Sequence, residues 1–130
     1  MRWLSALAVL GLALLVGCGT KYAPVEGRIT LADGSPLARA SVAFTSDALK
    51  ISAIGETDAN GVYKLMTENP GDGAPPGTYQ VEIVQAKSAD SAQGDPPRQF
   101  PAKYESAATS GLTREVKPGP NNFDFQLEAP

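Results

Sequence analysis

Apolar and polar positions divide the chain into one uninterrupted apolar run at its start and a series of short two-faced segments after it. Successive side chains of a strand point to opposite faces, so strict alternation marks a half-buried β-strand. The first such segment is Val25–Leu31, with Val25, Ile29 and Leu31 on one face and Glu26, Arg28 and Thr30 on the other. Ser41–Thr45 turns Val42 and Phe44 inward. Ser52–Thr57 and Val62–Thr67 read as a hairpin across Asp58-Ala59-Asn60-Gly61, with Tyr63 and Leu65 opposed to Lys64 and Met66. Gly77–Val84 has the cleanest alternation: Tyr79, Val81 and Ile83 against Gln80 and Glu82. Leu112–Val116 and Phe123–Leu127 complete the set, the latter with Phe123, Phe125 and Leu127 on one face.

Turn chemistry separates these segments. Asp33-Gly34 and Asn60-Gly61 are pairs in which glycine accepts a positive φ, and the 13 glycines and 11 prolines of the chain fall largely between the alternating runs. Residues 69–76 form a Pro- and Gly-rich loop, and residues 86–99 lose every period and read as a long exposed loop. Residues 100–110 are irregular, with one helical turn expected about Ala102–Glu105. Seven strands with one apolar face each bury those faces best as two packed antiparallel sheets, an all-β sandwich. The charges Arg28, Lys64 and Glu82 are expected on edge strands, where they discourage further strand addition.

The apolar run at the start is a different object. Arg2 supplies a positive charge, Trp3–Val16 is almost entirely apolar, and Leu15-Val16-Gly17-Cys18 ends it on small residues and the only cysteine. Charge, apolar core and small-residue cleavage site are the layout of a secretory signal peptide. The run is shorter than the ~20 residues needed to span a bilayer. Leu15–Cys18 resembles a bacterial lipobox, which implies cleavage after residue 17 and acylation of Cys18. The expected organisation is a signal peptide over 1–17, a lipidated tether over 18–24 and one domain over 25–130. Gly19, where an Asp would favour retention at the inner membrane, favours the outer membrane of a cell envelope by analogy with enteric sorting.

Composition then removes function classes. The chain has 11 Lys and Arg against 14 Asp and Glu, and loss of Arg2 with the signal peptide widens the acidic excess. No basic cluster is present to neutralise phosphates, so nucleic acid is not an expected partner. With no histidine, the chain lacks the usual general base and the commonest metal ligand. A single cysteine permits no internal disulfide, so the domain must be held by its core. Asp58-Ala59-Asn60-Gly61 lacks the further oxygen ligands of a calcium loop and is read as a turn. No catalytic, metal or cofactor residues are assigned.

Val25–Thr30, Asp33–Leu37 and Ala40–Phe44 together resemble the opening of a carboxypeptidase regulatory-like domain, and Thr57–Leu65 with Pro76–Val81 resemble its hairpin and following strand. The stretch Pro101–Tyr104, Thr109–Thr113 and Val116–Gly119 is further similar to small lipoproteins of planctomycete-type bacteria. The resemblance covers the chain after the signal peptide and implies a transthyretin-like, seven-stranded antiparallel Greek-key sandwich. Residue by residue it excludes hydroxyisourate hydrolysis, which depends on histidines. It opposes a Lys–Asn isopeptide, whose first-strand lysine is absent, and starch binding on tryptophan, since Trp3 leaves with the signal peptide.

One polar cluster escapes strand patterning: Lys103, Tyr104, Thr109 and Ser110. It either anchors the long crossover to the sandwich or rims a ligand site. Two function classes follow. In the first, a non-enzymatic envelope lipoprotein, anchored to a membrane through its lipid, presents the sandwich to a protein or glycan or serves as a brace. In the second, an envelope module captures a small molecule or ion in a concave site near Lys103 and Tyr104.

Overall fold

The computed structural model describes residues 21–86 and 96–130. The expected signal peptide 1–17, Cys18 and most of the expected 86–99 loop lie outside the described residues. Among the described residues the fold is all-β, apart from a 3-10 helix at Ala102–Glu105, the position at which a helical turn is expected. None of the described helices is long and apolar enough to cross a membrane.

Eight short strands form two sheets. β1 (Val25–Thr30) is flanked on one side by β4 (Val62–Lys64) and on the other by β7 (Asn121–Asn122) and β8 (Phe125–Gln126). The second sheet runs in the order β3 (Ile51–Glu56), β2 (Ser41–Ser46), β5 (Gly77–Val84) and β6 (Thr113–Val116), antiparallel throughout. The inward positions read from alternation hold: Val25, Ile29, Val42, Phe44, Tyr63, Leu65, Tyr79, Val81, Ile83, Phe125 and Leu127 are buried. Phe44 lies at the centre, with the rings of Tyr63, Tyr79, Phe123 and Phe125 between 6.0 and 6.4 Å from its own. Offset aromatic contacts of this kind add to the apolar area they bury.

Three expectations are corrected. First, the sheets are not antiparallel everywhere, because β7 and β8 run parallel to β1, Val25 opposite Asn121 and Ile29 opposite Phe125. They are two pieces of one strand. Where the pairing lapses, the Phe123 amide donates to the Glu26 carbonyl (2.9 Å) and the Arg28 amide to Asp124 Oδ1 (2.9 Å). Alternation identifies the buried face of a strand but carries no information on its neighbour or direction.

Second, Ser52–Thr57 and Val62–Thr67 are not paired along their length. β3 and β4 lie in different sheets, joined by a single bridge in which Ile54 and Met66 exchange both main-chain bonds at 2.9 and 2.8 Å. The intervening turn does form. Asp58 Oδ1 accepts from the amides of Asn60 (2.8 Å) and Val62 (3.0 Å), and Gly61 takes a φ of 79°. Its carbonyl then accepts from the Ile29 amide at 2.9 Å, so the turn delivers the chain to β1 instead of returning it along β3.

Third, Arg28 and Glu82 sit on interior strands, and only Lys64 is on an edge. A polar residue on the outward face of a central strand is as well solvated as one on an edge, which is why the pattern alone misplaces it.

Candidate functional site

The crossover from β5 to β6 carries the predicted cluster. Its 3-10 helix packs on β5 and buries Tyr104, whose ring meets Phe100 edge-on at 6.0 Å. The Tyr104 hydroxyl accepts from the Glu128 amide at 3.2 Å. Lys103 Nζ lies 2.7 Å from Glu128 Oε2, and that carboxylate raises the lysine above its ordinary value. The Thr109 hydroxyl donates to the Lys103 carbonyl at 2.7 Å, and the buried Ser110 hydroxyl accepts from the Leu112 amide at 3.1 Å.

All four predicted residues therefore belong to one crossover, and their polar groups are turned onto the chain itself. Residues that patterning did not flag complete the attachment. The Gln85 side chain donates to the Pro97 carbonyl (2.8 Å) and accepts from the Gln99 amide (2.8 Å), while Arg98 pairs with Glu105 at 3.2 Å. Gln85 directly follows the best-patterned strand, so its only sequence signal is a polar residue at a strand end. A small hollow of about 220 Å³ nearby is lined by Leu31, Ala32, Asp33, Gln99, Ala129 and Pro130 and includes none of the four.

A larger concavity lies elsewhere. A groove of about 410 Å³ opens on the outward side of β2 and β3, floored by Ala43, Ile54 and Met66 and bounded by Glu56, Lys64 and the Pro70-Gly71 wall. Ile54 is 53 % exposed. It faces out because β3 turns its small residues to the other side: Ala53 is buried, and a Cβ on Gly55 would stand 2.5 Å from the Lys64 carbonyl. An isoleucine alternating with Ala and Gly is the sequence signal for this inversion, visible as Ala53-Ile54-Gly55. Exposed apolar positions grouped in a groove mark contact surfaces more often than isolated ones do.

The electrostatics are those of turns and core. Burial raises the Tyr63 and Tyr79 hydroxyls, with the Asp124 carboxylate adding to the effect at Tyr63. Ser35 lowers Asp33 through its hydroxyl and amide. For Asp72, burial pushes upward but is outweighed by the amides of Thr67, Asn69 and Glu68, which hold the carboxyl below its ordinary value. Among the described residues the shifted groups that act on each other are the neighbours Lys21 and Tyr22, both raised, Lys21 chiefly by Tyr22 and Tyr22 chiefly by Glu68, in an exposed chain segment and not across a cleft as a tuned acid–base pair would be. Among the described residues no three His, Cys, Asp or Glu side chains are grouped to share a metal ion.

Comparison with protein-family models, with curated proteins and with solved structures finds no match.

Proposed function

We propose that this chain is a lipid-anchored cell-envelope protein, non-catalytic, whose transthyretin-like sandwich makes contact with an envelope protein or glycan. The observation that carries the reading is the placement of Leu15-Val16-Gly17-Cys18 immediately before a domain whose first main-chain pairing among the described residues, Ala23 with Ala74, begins five residues later. An acylated cysteine there supplies a membrane anchor with almost no spacer, and acyl chains in pairs give stable attachment. The seven-stranded Greek-key form is supported by the strand order β4-β1-β7/β8 over β3-β2-β5-β6 once β7 and β8 are counted as one interrupted strand. Gly19 supports the outer membrane as the destination.

Contact is favoured over small-molecule capture by the geometry of the crossover. The polar groups of Lys103, Tyr104, Thr109 and Ser110 are engaged with Glu128, Leu112 and their own segment and do not converge on a cavity. The groove over Ile54 and Met66 is the surface we assign to the partner.

The anchor is tested by feeding cells an alkyne-bearing fatty acid and following wild type and Cys18→Ala. Wild type should take up label and fractionate with membranes, while Cys18→Ala should accumulate as unlabelled precursor. Identical processing and fractionation of the two would sink the proposal.

A further inference from the structure

We infer that the sandwich stands on the membrane by the end at which β1 begins, with Leu49, at the tip of the β2–β3 turn, inserted among the lipid headgroups. This rests on the lipid-anchor reading and adds to it an orientation and a contact residue.

Covalent geometry sets the reach. An extended chain covers at most ~3.3–3.6 Å per residue, so the five steps from Cys18 to Ala23 span no more than about 18 Å. The seven steps of β5, Gly77 to Val84, rise about 23 Å at ~3.3 Å each, so this leash is shorter than the sandwich is tall. The end that holds Ala23 is therefore kept close to the lipid.

The structure shows what else occupies that end. Ala23 and Ala74 exchange main-chain bonds at 2.8 and 3.0 Å. Three residues on, Gly77 opens β5, and the side chain of Leu49 lies over it, 2.8 Å from where a Cβ would stand. Gly77 is also paired with Val116, which leads through Lys117 to Asn121, whose amide donates to the Pro24 carbonyl at 2.9 Å. Leu49 and Lys117 thus share the end from which the tether leaves.

Leu49 is 41 % exposed, one of two large exposed apolar side chains among the described residues, Ile54 being the other. Its turn is built, not loose. The Leu49 amide donates to the buried Ser46 hydroxyl at 3.1 Å, and Lys50 holds a left-handed φ of 55°. A non-glycine residue in that region is held there by its surroundings. Lys50 and Lys117 have no acidic partner within ion-pair distance among the described residues, whereas of the acids at this end Glu68 pairs with Lys21 at 3.9 Å and Asp72 is spent on three amides. Asp47, in the same turn, and Glu115, opposite Thr78 on β6, are further acids at this end. The end carries no excess of positive charge, so what suits it to the headgroup layer is the apolar tip, with the Lys50 stem lying along the apolar boundary and its ammonium reaching the phosphates.

The test uses full-length acylated protein in vesicles of phosphatidylethanolamine and phosphatidylglycerol with brominated acyl chains. A fluorophore is attached through Leu49→Cys, Ile54→Cys or Ser35→Cys, one at a time; Ser35 marks the opposite end and Ile54 the sheet face. Quenching at position 49 several-fold above that at 54 and 35 is expected. Stronger quenching at 54, or equal quenching at all three, overturns the orientation and places the sheet face or no fixed surface on the bilayer. Mass spectrometry of the first peptide of the same samples separates the two readings. Missing acyl mass removes the anchor and the orientation together, while acyl mass without quenching at 49 removes the orientation alone.

Discussion

The hydroxyl of Tyr63 donates to the main-chain carbonyl of Phe123 at 2.6 Å, reaching from β4 across β1 to the last strand. It passes over Gly27, the residue paired with Tyr63 in β1. The bond ties down the stretch where β7 and β8 lose their regular ladder with β1. Tyr63→Phe should cost about 1–2 kcal/mol, the usual range for a hydrogen bond whose loss strands a partly buried acceptor. Urea denaturation of wild type and variant checks this, and no change in midpoint would show that the Phe123 carbonyl finds water instead.

Gly27 is there for space. A Cβ at this position would stand 1.8 Å from the Phe123 carbonyl oxygen and 2.9 Å from the Tyr63 hydroxyl. Gly27→Ala should destabilise by about 3 kcal/mol, at the upper end of overpacking costs, because main chain and not a flexible side chain must move. The same denaturation series should rank it below Tyr63→Phe in stability. A Gly27→Ala protein as stable as wild type would mean that β7 and β8 are held by something other than this close approach.

Alkaline pH should weaken the fold. Burial raises the folded-state values of Tyr63 and Tyr79 above the ordinary 10.0, so the folded form holds these protons where the unfolded chain releases them. Their contribution is whole below that ordinary value and is lost progressively as pH rises above it. The denaturation midpoint should fall between neutral pH and about pH 11, and the fall should be shallower in Tyr63→Phe. An equal slope in the variant would assign the alkaline loss to other groups.

The crossover should be held by its ring and not by its charge. Tyr104→Ala removes a buried aromatic and should cost about 3–5 kcal/mol. Lys103→Ala removes the exposed pair with Glu128 and an ammonium 5.2 Å from the Tyr104 ring centre, and should lower the melting temperature far less, since exposed contacts of both kinds contribute little in water. Differential scanning calorimetry of the two variants decides between them, and a larger loss from Lys103→Ala would reverse the assignment.

Much of the sandwich is legible in the chain because burial writes itself as alternation. β5 is found at Gly77–Val84 with its inward Tyr79, Val81 and Ile83, and the turn of helix at Ala102–Glu105 is found where irregular sequence meets a local helical preference. What alternation cannot carry is partnership. Nothing near Phe125 announces that it lies beside Ile29, and nothing in Ser52–Thr67 announces that two strands joined by a good turn belong to different sheets. Those choices are made by distant contacts. The four crossover residues are legible only as polar groups without a period, since Glu128, which Lys103 and Tyr104 meet, lies beyond the last strand and the bonds of Thr109 and Ser110 are to main chain. The groove over Ile54 has only the faint signal of an isoleucine between Ala53 and Gly55, because Met66 and Pro70 reach it from elsewhere in the chain.

The first strand and the last run side by side in the same direction, which sets how the domain bears load. A pull between Ala23 and the residues after Leu127 acts along β1 and its parallel neighbour, from opposite ends. Their main-chain bonds, with the Arg28–Asp124 link between them, are then loaded together in shear and not peeled one after another. A domain joined this way resists tension applied between the start of β1 and the end of β8.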